Sequence, residues 1–129
     1  MQKNFSITNL TKGKHSRLPF VVFKNKVLGE SYDLSLVFVG EKRIHAINKK
    51  YRHKDSPTDI LSFSLSKYSG EIFMCEKSAV KKAKEFEMTY AEFFPFLFIH
   101  GLVHLKGFDH GNKMEALEKK YRTSLAKNI

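Results

Sequence analysis

The sequence predicts an α+β fold, of α/β type in its alternation: a small mixed sheet of about four strands packed with about five helices. Three observations carry that expectation. The runs LSLVFVG at 34–40 and ILSFSLS at 60–66 are rich in β-branched, aromatic or alternating apolar residues. Between them EKRIHAINKKYR at 41–52 places Ile44, Ile47 and Tyr51 three and four apart, the period of a helix. From Ser78 onward the chain reads as helical almost to its end.

In order, residues 4–9 form a short first strand. The segment 18–28 reads as a helix that opens with Pro19 and stops at Gly29, although Val21, Val22 and Phe23 would also suit a strand. LSLVFVG is the second strand, largely buried, and the helix over 41–52 follows it. ILSFSLS and GEIFMC at 70–75 are joined by the short KYSG connection and form an antiparallel hairpin. Three helices complete the chain: SAVKKAKEFEM at 78–88 with Ser78 as N-cap, a second from Tyr90 to Lys106, and KMEALEKKYRTSLAK at 113–127. The order is βαβαββααα.

The 129 residues fit one domain, 1–129, with no repeat or linker to divide it. Lys and Arg number 23 against 13 Asp and Glu, a net charge of +10, while 42% of residues are hydrophobic. A globular protein with this surplus suits a polyanionic partner. Cys75 is the one cysteine and reads as a small buried residue in a reducing compartment. The N-terminal stretch lacks the apolar run of a signal peptide, so a cytoplasmic location is expected. FFPFLFI at 93–99 is too short to span a bilayer and reads as core, with no membrane role.

The stretch FIHGLVHLKGFDHGN at 98–112 carries three of the six histidines. In a helix, His100 and His104 project from one face a turn apart, which lets two imidazoles reach one metal ion. Gly107 can take the left-handed conformation that ends the helix and turns the chain, bringing His110 round as a third ligand. Three protein ligands with an open fourth position describe a catalytic zinc-type site. HxxxHxxGxxH has metzincin spacing, so the site is zincin-like. Zincin proteases, however, place a glutamate directly after the first histidine, where this chain has Gly101. Asp109 could orient an imidazole or handle a proton, or could simply satisfy turn backbone. In NKKYRHKDSPTDILSF at 48–63, Arg52 follows a helical face and precedes a turn-forming cluster, where a guanidinium can grip phosphate oxygens or stay solvated.

The run His100 to His110, with Tyr51-Arg52, Asp55, Thr58-Asp59-Ile60-Leu61-Ser62-Phe63, Gly70-Glu71-Ile72 and the Met114 and Glu118 pattern, resembles the YbeY family of bacterial rRNA maturation factors. The resemblance covers roughly residues 34–122 and departs mildly, at Phe108, Ile60 and Glu71. It implies a single-strand-specific, metal-dependent endoribonuclease acting in 3′-end maturation of small-subunit rRNA and in ribosome quality control. Its partners would be single-stranded RNA, the small ribosomal subunit and associated proteins. By motif matching, the zinc ligands fall on His100, His104 and His110, with one Zn2+ per chain, and the functional arginine on Arg52. Asp55, Asp59 and Ser62 match positions that serve either catalysis or the shape of the cleft.

Zinc on three neutral imidazoles would lower the pKa of bound water and polarise a phosphoryl oxygen. Phosphate contacts would draw on Lys49, Lys50, Lys54 and Lys106, and bases could stack on Tyr51, Tyr68 or Phe108. Two rival functions use the same residues: a zincin-like peptidase, and a non-enzymatic rRNA-binding ribosome assembly factor in which zinc only fixes the last helices.

Overall fold

The computed structural model describes residues 4–107 and 111–126. Its elements run β1 (Phe5–Asn9), α1 (Phe20–Leu28), β2 (Asp33–Phe38), α2 (Glu41–Arg52), β3 (Ile60–Ser66), β4 (Ser69–Met74), α3 (Glu76–Glu85), α4 (Tyr90–Leu105) and α5 (Asn112–Leu125). This is the expected βαβαββααα order, an α+β fold with four strands and five helices. The sheet has the strand order β1-β2-β4-β3. β1, β2 and β4 are parallel, with Phe5 opposite Leu34 and Leu36 opposite Ile72, while β3 pairs antiparallel with β4 as the expected hairpin.

Helices cover both faces of the sheet, which explains why β2 lacks a polar face: Leu34, Leu36, Val37 and Phe38 are all buried. The larger core gathers α1, α3, α4 and α5 against one face, with Phe20, Phe23, Phe98, Leu102 and Ile72 at its centre. The smaller cluster lies under α2 and comprises Val37, Val39, Ile44, Leu61 and Cys75. Cys75 is fully buried, as its composition-level reading expects.

The start of α3 differs from expectation, while α4 starts at Tyr90 as expected. α3 begins at Glu76, and Ser78 does not cap it; the Ser78 hydroxyl donates instead to Glu41 Oε2 at 3.4 Å, linking α3 to α2. α4 opens with a capping box in which Thr89 accepts from the Glu92 backbone N–H and the Glu92 carboxylate accepts from Thr89. Those bonds hold the Glu92 carboxyl below its usual range. Gly107 does what its position requires: α4 ends at Leu105 and Gly107 takes φ +105°, with its N–H bonded to the His104 carbonyl. No helix of the described residues is long and apolar enough to cross a membrane.

Candidate active site

Close approach of α4 to the sheet sets the position of its histidines. A Cβ added at Gly101 would sit 2.6 Å from Ile60 Cδ1 and 3.2 Å from Ser62 Oγ, so glycine lets the helix lie this close without moving the Ile60 side chain. The Ser62 hydroxyl donates to the Gly101 carbonyl at 3.1 Å and ties β3 to α4. This places His100 and His104 beside the edge strand β3, with ring centroids 4.8 Å apart and nearly perpendicular. Behind His100 stands Glu118 of α5, 7% exposed, whose Oε1 accepts from Nδ1. A carboxylate on Nδ1 assigns Nε2 as the nitrogen that would ligate a metal, the usual arrangement behind a metal-binding imidazole.

Across the cleft, α2 ends at Arg52 because His53 takes the left-handed conformation (φ 59°) and returns its N–H to the Asn48 carbonyl. Asn48 is 3% exposed and donates through Nδ2 to the Ser56 carbonyl at 2.9 Å, fastening the loop that follows. Arg52 Nη2 donates to the Ser62 carbonyl at 2.8 Å, and its guanidinium lies 4.5 Å from the centroid of Phe63. Ser62 therefore serves both walls: its carbonyl holds Arg52 and its hydroxyl holds α4.

Arg52, Asp59, Ser62, His100, His104 and Glu118 line one cleft of about 1000 Å³. The structure thus brings together five of the eight residues singled out from sequence. Asp55 is not among the lining residues; it lies on the surface, accepting from His45 Nε2 at 2.7 Å with Lys49 Nζ 3.9 Å away. Asp109 and His110 lie outside the described residues, as does Phe108. Among the described residues no group of three or more His, Cys, Asp or Glu is placed to hold a metal. The described part of the donor set nonetheless fits one: two adjacent imidazoles, the first oriented by a buried carboxylate.

The basic residues divide into inward tethers and cleft cations. Lys106 Nζ donates to the Val27 carbonyl at 3.1 Å, joining α4 to α1 rather than facing a phosphate. Lys24 is 1% exposed and donates to the Glu30 carbonyl; burial lowers its pKa, while Asp33 and Glu30 oppose the shift. Lys54, Lys82, Lys119 and Arg122 line the cleft with Arg52. Tyr51 and Tyr68 are exposed, at 54% and 61%, and Tyr51 packs edge-on against Phe63.

Glu118 belongs to the sequence pattern, yet its task is set by the α4–α5 contact, which has no local signal. Asn48 is equally hidden, a polar residue on a helix between Ile47 and Lys49.

The family model described as endoribonuclease YbeY matches residues 2–127. Endoribonuclease YbeY of Macrococcus caseolyticus is 34% identical over 111 residues, 77% of this chain and 72% of the relative. That of Alkaliphilus metalliredigens is 36% identical over 105 residues, 73% and 68% of the two chains. The solution structure of a Thermotoga maritima protein superposes with a TM-score of 0.65 at 28% identity, covering 95% of this chain and 91% of that one. Since the match takes in both the Arg52 wall and the histidine wall, the chain belongs to the endoribonuclease YbeY family.

Proposed function

We propose that the cleft is the active site of a zinc-dependent endoribonuclease that cuts single-stranded RNA during rRNA processing. The observation that carries this reading is the meeting, in one cleft, of a carboxylate-backed histidine pair and an arginine held by backbone and ring. Family membership and the net charge of +10 support RNA as the substrate. His100 and His104, with His110 as the third ligand, would hold the zinc, which when bound supplies Lewis acidity toward a phosphoryl oxygen.

The chain's own residues do the rest. Glu118 keeps His100 in one tautomer and one ring orientation. Arg52 offers a planar, permanently charged fork, of whose five N–H donors the Ser62 carbonyl takes one. The others can meet the charge that grows on the equatorial oxygens of a phosphodiester under attack. We assign the reaction to the cytoplasm, on small-subunit rRNA, within ribosome quality control.

Against a peptidase stands Gly101: it occupies the position of the zincin glutamate, so the chain lacks that base, and a side chain there would have to displace the Ile60 side chain.

The test is cleavage of an end-labelled RNA with paired and unpaired regions, by zinc-loaded protein, chelated protein and Arg52→Ala. Cutting should be confined to unpaired RNA, need zinc, and fall by about 10²–10³ in Arg52→Ala with the melting temperature unchanged. Absence of cutting by folded, zinc-loaded protein would move the reading to an rRNA-binding assembly factor.

A further inference from the structure

Helices α4 and α5 contact one another across two successive rungs. In the first, His100 meets Glu118. Four residues earlier on α4 and four later on α5, Phe96 meets Arg122, whose guanidinium carbon lies 4.0 Å from the ring centroid. One helical turn, about 6 Å between Cβ atoms, separates the rungs. All four side chains line the cleft.

The second rung is electrostatically incomplete. Arg122 Nε is buried and has no hydrogen-bond partner among the described residues. Nor does Arg122 form an ion pair there: Glu118, one turn away, is engaged with His100. A desolvated Nε–H without an acceptor is unfavourable. Stacking on Phe96 fixes its plane and strengthens the cation but supplies no acceptor. A pre-oriented cationic fork at the edge of a cleft is suited to bidentate recognition of a phosphate. Lys119, also lining the cleft, adds to the local positive potential.

We propose that Arg122 binds a phosphate of the RNA strand flanking the one that is cut, on the α5 side of the histidines. This rests on the nuclease reading of the cleft. Arg52 reaches the cleft from α2 and Arg122 from α5, so the strand is gripped on both sides of the histidine pair. The separation of one helical turn is on the scale of a nucleotide step.

Arg122→Met keeps an unbranched apolar stem over Phe96 and removes the fork; Arg122→Lys keeps the charge. Binding of a fluorescent single-stranded RNA is read by anisotropy in chelator, so that nothing is cut, across a salt series. Arg122→Met should bind about tenfold more weakly, with the slope of log K against log salt reduced by about 0.7, and Arg122→Lys should keep that slope. A walk of single neutral methylphosphonates along the RNA should find one position that weakens wild-type binding and leaves Arg122→Met unaffected. Unchanged affinity and slope in folded Arg122→Met overturns the assignment while leaving the nuclease reading intact. Should that variant not fold, a walk that weakens wild type at no flanking position overturns it equally. Failure of wild type to bind or cut RNA overturns both.

Discussion

The histidine wall and the arginine wall of the cleft are built on opposite faces of the sheet, and by different forces. α4 buries ten residues, from Phe93 to Leu105, and sits in the larger core. α2 buries only Ile44 and Asn48, and Ile44 belongs to a cluster of just five buried residues. Surface charges supplement this small contact: Glu41 with Lys77 and Lys81 of α3, and Asp55 with His45 and Lys49. The histidines are therefore positioned by packing, whereas Arg52 is positioned by a few polar contacts at the end of a lightly buried helix. One wall is rigid because the fold is; the other can adjust to a substrate without unfolding anything.

The largest expected effect tests the packing side directly. Phe98 is fully buried and its ring lies 5.1 Å from that of Phe20. Phe98→Ala should cost about 4 kcal/mol in urea unfolding, against about 2 kcal/mol for Ile44→Ala under α2. Equal losses would mean that the two faces share one cooperative core and that the contrast is wrong.

Next comes the carboxylate behind His100. Glu118→Gln preserves volume and an acceptor but removes the charge, so zinc affinity, read by competition with a chromophoric chelator, should fall about tenfold. The same substitution should leave RNA binding in chelator within about twofold, because the carboxylate acts through the imidazole rather than on the strand. Unaltered zinc affinity would reduce Glu118 to a packing residue.

How much of this was legible in the sequence follows the same division. Strands, helices and the turn at Gly107 announce themselves locally, through period and through glycine, and the structure has them in the expected order, with the start of α3 moved to Glu76. The pair His100 and His104 is equally local, since one turn of helix suffices to join them. What stayed hidden depends on elements far apart in sequence. Glu118 is 18 residues from His100, and Lys106 is diverted to Val27, 79 residues away. Ser78 is drawn from its expected cap by Glu41 of another helix. Thr89 and Glu92, by contrast, form a capping box whose T-x-x-E signature is local in the sequence. Asp55 matched the family pattern, but a motif position states no contact, and its carboxylate is engaged by His45.

The smallest effect probes the polar fastening of α2. Glu41 Oε2 accepts from Lys81 Nζ at 3.0 Å and from Ser78 Oγ at 3.4 Å, which holds its carboxyl below the usual range. Because the folded pKa is depressed, the contact stabilises the fold above the unfolded pKa and is lost as pH falls through the folded value. Wild type should therefore melt slightly above Glu41→Gln at neutral pH, and the gap should close once pH drops below the carboxylate range. Salt should narrow it as well, since the Lys77 and Lys81 side chains are largely solvated. Amide exchange locates the effect: in wild type, added salt should speed exchange in α2 while α4 stays protected. A salt-insensitive α2 would mean that Ile44 and its neighbours hold the helix unaided, and Arg52 would then share the rigidity of the histidine wall.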